Sequence, residues 1–234
     1  MANEKFSVVF PAAGSGTRFG SGDKLLTDLG GRSVLQRSVG IFAQRHDVSQ
    51  IVVATASDRF EYYRDHLAAT VGAKVLTLVA GGAERWASVY EGIKAVIPGI
   101  SFVAIHDAAR PLTPQSVIDA AFAAARLYGA AVPCLAEPCT LKRMAPDGTV
   151  TTTVDRQGLY QAQTPQCFKV GLLRSAFEKL LACVSMPAIT DDAQVCELAG
   201  LPVYITAGSS RNLKLTTAEE LPVLKALLTG TDAL

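Results

Sequence analysis

The sequence predicts an α/β fold, a single domain with a mostly parallel sheet covered on both faces, and three observations point there. Nearly continuous apolar runs occur at 6–11, 50–55, 74–79, 101–106 and 130–135. Runs without polar alternation suit strands buried on both sides. Helical patterns near 33–45, 57–69, 84–96 and 114–128 separate them, so β-α-β units repeat. Such units build parallel sheets through right-handed crossovers. Finally, the most chemically suggestive loops follow the first and fourth runs, and ligands of open α/β sheets bind beyond the carboxyl ends of strands.

Within this frame Ser33 and Ser57 are expected N-caps, and Pro114 suits a first helical turn. The pattern changes between about 137 and 160. There Pro146-Asp147-Gly148 is a turn signal between polar, β-prone flanks, which predicts a projecting β-hairpin arm. Helices are expected near 170–183 and 191–199, a strand near 202–206, an extended segment at 211–216 and a last helix from about 217. No internal repeat, low-complexity tract or linker divides the chain, so residues 1–234 read as one domain with an arm.

The formal net charge of +1 argues against a broad basic face for nucleic acid. No apolar run reaches the length of a membrane span. The start, Met1-Ala2-Asn3-Glu4-Lys5, has no signal-peptide pattern, and a cytoplasmic location is expected. The five cysteines form no CxxC pair and read as free thiols of a reducing compartment. His46, His66 and His106 have no metal-ligand spacing, which speaks against zinc.

The first strand runs into Pro11-Ala12-Ala13-Gly14-Ser15-Gly16-Thr17-Arg18, with Lys24 close behind. Small residues let backbone N–H groups approach a ligand, and a helix N-terminus with fixed cations attracts phosphate. Gly14, Gly16 and Gly20 give G-x-G-x-x-x-G, the wrong spacing for a dinucleotide fingerprint, and no Gly-Lys-Ser/Thr completes a P-loop. An ordinary β-turn-α connection with solvated cations is the competing reading. Gly81-Gly82, followed by Ser88, offers backbone groups suited to the polar edge of a nucleobase, or simply makes a turn. At the fourth strand end, Asp107 is a candidate Mg²⁺ ligand, since Mg²⁺ often takes one or two protein carboxylates beside phosphates and water. Arg110 can hold an anion or pair with Asp107, and His106 reads as a packed strand-end residue. Lys214, between apolar neighbours, either points into a cleft or snorkels at the surface.

In order, PAAGSGTR at 11–18, HDAARP at 106–111, TLKR at 140–143, DRQGLYQAQTPQCF at 155–168, TDDA at 190–193 and NLKLT at 212–216 resemble the 2-C-methyl-D-erythritol 4-phosphate cytidylyltransferase family. The resemblance spans about residues 7 to 220. It departs at Lys24, which sits in Gly-Asp-Lys-Leu rather than Pro-Lys-Gln, and at Trp86, where a polar residue is expected.

The resemblance implies a Rossmann-like nucleotidyltransferase fold, a homodimer with exchanged arms and Mg²⁺ dependence. It also implies CMP transfer from CTP to a polyol phosphate in isoprenoid precursor synthesis. By the same resemblance Arg18, Lys24, Arg156 and Lys214 are catalytic, with Arg156 supplied by the partner subunit. Ala12, Ala13, Gly14, Gly16, Gly82 and Ser88 would bind CTP. Asp107, Arg110, Thr140, Thr164 and Thr190 would bind the acceptor, with Asp107 also on the metal. Ribitol 5-phosphate is an alternative acceptor, and a non-catalytic nucleotide-binding regulator is an alternative of another class. A nicotinamide-dependent dehydrogenase is disfavoured by the glycine spacing.

Overall fold

The computed structural model describes residues 4–14, 19, 23–183 and 188–229. Five strands and four helices alternate in its first part: β1 (Phe6–Pro11), α1 (Val34–Ala43), β2 (Val48–Thr55), α2 (Phe60–Val71), β3 (Val75–Ala80), α3 (Arg85–Lys94), β4 (Phe102–Ile105), α4 (Gln115–Tyr128) and β5 (Ala130–Ala136). There follow β6 (Leu141–Met144), β7 (Val150–Val154), β8 (Tyr160–Ala162), β9 (Gln166–Lys169), α5 (Val170–Leu181), α6 (Asp192–Leu198), β10 (Tyr204–Ala207) and α7 (Leu221–Thr229).

The main sheet has the order β10-β5-β9-β4-β1-β2-β3, with β8 paired to the outer part of β5. Pairs β1–β2, β2–β3, β1–β4 and β5–β10 are parallel, while β8 and β9 run antiparallel. Chain order reverses direction at β1, with β2 on one side and β4 on the other. That places a crevice at their carboxyl ends.

The continuous apolar runs of β1, β2, β4 and β5 are explained by two buried layers. β3, expected to be covered on both faces as well, lies at the sheet edge and is only partly buried, with Val75 exposed. Val8 and Phe10 of β1 face Leu35, Val39 and Phe42 of α1 and Phe122 of α4. Val9, between them in sequence, packs with Val89 and Ile93 of α3 and Phe177 of α5. Alternate strand residues thus feed opposite layers, and neither face tolerates a polar stripe. Gly92 lets α3 lie close over β1, because a Cβ there would stand 2.4 Å from Cγ1 of Val9. Trp86 is partly buried against this second layer.

Ser33 caps α1 with a reciprocal capping box through Gln36. Ser57 does not cap α2: a short 3₁₀ turn, Ser57–Arg59, intervenes, and Arg59 precedes the helix without a side-chain cap. Pro114 is itself the N-cap of α4 rather than its first residue. The extended segment at 211–216 joins no strand. Strands β8 and β9 were not legible in the sequence, yet β9 is inserted between β4 and β5 in the middle of the sheet.

A β-hairpin forms within the segment expected to be an arm. β6 and β7 pair only with each other in a two-stranded sheet, and Gly148 takes the positive φ of 86° that its turn requires. Met144 and Val150 stay exposed on it.

Candidate active site

Three strand ends build a first cavity, of about 340 Å³. β1 delivers Pro11, Ala12, Ala13 and Gly14, and the segment after β3 delivers Gly82 to Arg85. β4 leads to Asp107, Ala108 and Ala109, while Lys24, Ser88 and Lys214 complete the wall. The first two segments touch: a Cβ on Gly81 would lie 2.3 Å from Cβ of Ala13. Ser88 is buried, and its hydroxyl accepts from the Gly82 N–H at 3.1 Å, holding the glycine turn against α3. The result is a slot with small walls and a backbone edge.

A second cavity of about 260 Å³ adjoins it, lined by Arg110, Ala162, Gln163, Thr164, Gln166, Thr190 and Asp191. Arg85, Asp107 and Lys214 line both cavities. The antiparallel insertion of β9 creates this arrangement, because it carries residues 163–166 to the end of β4.

Asp107 stands at the junction. Its Oδ2 lies 3.0 Å from Nζ of Lys214 and 3.2 Å from Nε of Arg110, and its Oδ1 lies 3.5 Å from Nη2 of Arg85. Burial opposes ionisation here, but Lys214, Arg85 and Arg110 hold the carboxyl well below the usual carboxylate range. Asp107 faces three cations, and no group of three or more Asp, Glu, His or Cys among the described residues forms a ready-made metal site. Asp107 gathers these cations at the junction of the two cavities. Mg²⁺ suits this site only as the companion of a polyphosphate, which brings its own ligands.

A buried polar network fixes these groups. The Asn212 amide donates to Oε1 of Gln163 at 3.1 Å and to the Thr164 carbonyl at 2.8 Å, and its oxygen accepts from Thr113 at 2.8 Å. The Asn212 carbonyl accepts from Arg110 at 2.5 Å. Lys214 is therefore presented from a clamped segment, not a free loop. Asn212→Ala removes three buried hydrogen bonds and takes from the Thr164 carbonyl its Asn212 donor, whereas Gln163 keeps Ser209 and Thr113 keeps Arg110; the expected cost is about 1–3 kcal/mol. Denaturant unfolding checks this, and an unchanged midpoint would contradict it.

His106 is fully buried. Thr164 Oγ1 accepts from the Asp107 N–H at 3.1 Å and lies 3.1 Å from Nδ1 of His106. His106 Nε2 lies 3.2 Å from the Arg110 carbonyl. A neutral ring that accepts at Nδ1 and donates from Nε2 satisfies all three contacts. Burial pushes its pKa down from 6.5 to about 4. The unfolded chain then binds more protons than the fold between those values, so stability falls as pH drops through that window. The loss is expected to reach about 3 kcal/mol. Unfolding curves of wild type and His106→Gln between neutral and acid pH test it; identical slopes would refute it.

Of the sequence-predicted residues, Ala12, Ala13, Gly14, Lys24, Gly82 and Ser88 meet in the first cavity. Arg110, Thr164 and Thr190 meet in the second. Thr190 is exposed and turns its hydroxyl to Gln194, while Asp191, not Thr190, caps α6. Thr140 and Arg156 belong to the arm region and line neither cavity; the Arg156 guanidinium donates to the Pro138 carbonyl. Gly16 and Arg18 lie outside the described residues. Sequence reasoning passed over Arg85. Its signal was an arginine opening a helix, where the macrodipole disfavours a cation.

A sequence model of the 2-C-methyl-D-erythritol 4-phosphate cytidylyltransferase family matches residues 6–230. The enzyme of that name from Rhodopirellula baltica is 39% identical over 234 residues, covering 95% of this chain and 94% of that protein. Its counterpart from Symbiobacterium thermophilum is 40% identical over 225 residues, covering 95% and 92%. Among solved structures, the 4-diphosphocytidyl-2C-methyl-D-erythritol synthase of Anaerococcus prevotii superposes with a TM-score of 0.82 at 28% identity, covering 97% of this chain and 99% of that one. The cytidylyltransferase of Thermus thermophilus does so with a TM-score of 0.78 at 29% identity, covering 96% and 99%. With that match running through both cavities and nearly end to end, the chain belongs to the 2-C-methyl-D-erythritol 4-phosphate cytidylyltransferase family.

Proposed function

We propose that this chain transfers CMP from CTP to 2-C-methyl-D-erythritol 4-phosphate, releasing pyrophosphate and forming 4-diphosphocytidyl-2-C-methyl-D-erythritol. The observation that carries the reading is the pair of adjoining cavities with Lys214, Asp107 and Arg85 in their common wall. One cavity suits a nucleotide: the Gly82 turn and Ser88 face cytosine, and Ala12, Ala13 and Gly14 lie along the ribose and phosphates. The other suits a short polyol phosphate, held by Arg110, Thr164 and Thr190.

The acceptor phosphate is largely ionised near neutral pH, as the second pKa of a phosphate monoester is about 6. Its oxygen attacks the α-phosphorus of CTP, a P–O bond forms, the bond to the β-phosphate bridge breaks, and pyrophosphate leaves. No proton has to be removed from the nucleophile, which accords with His106 being buried and committed to Thr164 and Arg110. The obstacle is repulsion between two anions, and fixed cations answer it. Lys24 and Arg18 serve the triphosphate side, and Lys214 bridges to the acceptor. Mg²⁺ arrives with CTP as part of the substrate.

The arm supports a homodimer. A two-stranded hairpin is marginal alone, and this one leaves Met144 and Val150 exposed. Seated on a second copy, it would bring Thr140 and Arg156 to the partner's acceptor cavity, which they do not line in their own chain. The five cysteines are free, in keeping with a cytoplasmic location. No described helix is long and apolar enough to cross a membrane.

Parallel assays of pyrophosphate release from MgCTP with methylerythritol phosphate and with ribitol 5-phosphate decide the acceptor. Methylerythritol phosphate is expected to be preferred in kcat/KM. Preference for ribitol phosphate overturns the acceptor assignment, and CTP binding without turnover of either identifies a regulator instead.

A further inference from the structure

Arg85 is the first residue of α3, on the nucleotide side, and Asp192 is the first residue of α6, on the acceptor side. Their side chains meet in a two-pronged pair, with Nη1 to Oδ1 at 3.0 Å and Nη2 to Oδ2 at 2.8 Å. The Asp192 side chain is wholly buried. Gln166 anchors the same corner: its Oε1 accepts from the Asp192 N–H at 2.9 Å and the Ala193 N–H at 2.8 Å. Its Nε2 donates to Asp191 at 2.9 Å. The same Nη2 also approaches Oδ1 of Asp107 at 3.5 Å, so it lies between the two carboxylates, while Lys214 and Arg110 hold Oδ2 of Asp107. Each Asp107 oxygen therefore has its own cationic neighbour.

We infer that Arg85 is a positioning residue for the reaction proposed above: paired with Asp192, it braces the wall common to both cavities and sets the facing of Asp107, and through Asp107 that of Lys214. The assignment rests on that reaction. Arg85 is poorly placed to act as a phosphate ligand, because Asp192 already takes its two terminal nitrogens in a geometry that suits a guanidinium and not an ammonium. Lysine would keep the charge and lose the brace. Asp192→Asn would loosen the brace and leave the arginine's charge freer for any phosphate.

These opposed effects give the test. Arg85→Lys, Asp192→Asn and the double variant Arg85→Met/Asp192→Asn are compared with wild type in steady-state pyrophosphate release, with thermal unfolding measured beside it. Misplaced reacting groups cost up to about 10²-fold, so Arg85→Lys and Asp192→Asn are each expected to lower kcat at least about tenfold, with KM for CTP changed less than about threefold. The double variant should be no slower than the slower single variant, since one brace is lost only once. Arg85→Lys with kcat near wild type overturns the inference. So does a rise in kcat for Asp192→Asn, which marks Arg85 as a phosphate ligand. A lower melting temperature with unchanged kcat per folded chain marks the pair as structural only and overturns it too. If Asp192→Asn does not fold, Arg85→Lys decides alone. An inactive wild type would instead sink the reaction itself.

Discussion

Lys214→Ala is expected to lower kcat by about 10²–10³, the usual cost of removing one preorganised donor from a charge-stabilising site. Its ammonium lies 3.0 Å from Asp107 and lines both cavities. It is thus placed to neutralise the acceptor phosphate and the α-phosphate together as they meet. The variant also leaves Asp107 with one cation fewer, so a carboxylate charge becomes less screened where two anions must bind. KM for both substrates is expected to rise as well. Steady-state pyrophosphate release measures both quantities. Because Lys214 is partly exposed and the Asn212 network remains, the fold should survive; turnover within tenfold of wild type would remove Lys214 from the mechanism.

Mixed dimers carry the second large effect. Arg156→Ala and Lys24→Ala chains are each expected to lose at least about 10²-fold in activity. If the arm acts on the partner's cavity, a heterodimer of the two contains one site with neither substitution. Random subunit exchange then restores about a quarter of wild-type activity, as half the dimers are mixed and each has one intact site. Measured exchange without recovery would show that Arg156 serves its own chain. Within one chain Arg156 is tied to Pro138 and lines neither cavity, so its own site has no place for it without movement of the arm.

Much of the site was legible because its residues sit where local rules already place them. Ala12 to Gly14 and His106-Asp107 follow apolar runs too continuous to be anything but buried strands, and strand ends are where open α/β sheets bind ligands. The hairpin was legible from Pro146-Asp147-Gly148, a turn whose backbone demands are local. Asp107 as a charge hub was legible only in part: its pairing with Arg110, three residues on, was one of the readings offered, but Arg85 and Lys214 come from distant segments and only the fold brings them to it.

The apolar periodicity and turn chemistry of the chain by themselves determined a largely covered sheet, its helices, the hairpin and the edge where the two cavities lie. Those signals act over a few residues, and the apolar composition of β1, β2, β4 and β5 matches their burial, although that of β3, at the sheet edge, does not. Only the tertiary structure decided that β9 enters between β4 and β5, that Ser57 starts a 3₁₀ turn instead of capping α2, and that Arg85 meets Asp192 across 107 positions. A four-residue strand has too few side chains to announce its neighbours, and a salt bridge between distant segments depends on where the whole backbone brings their ends.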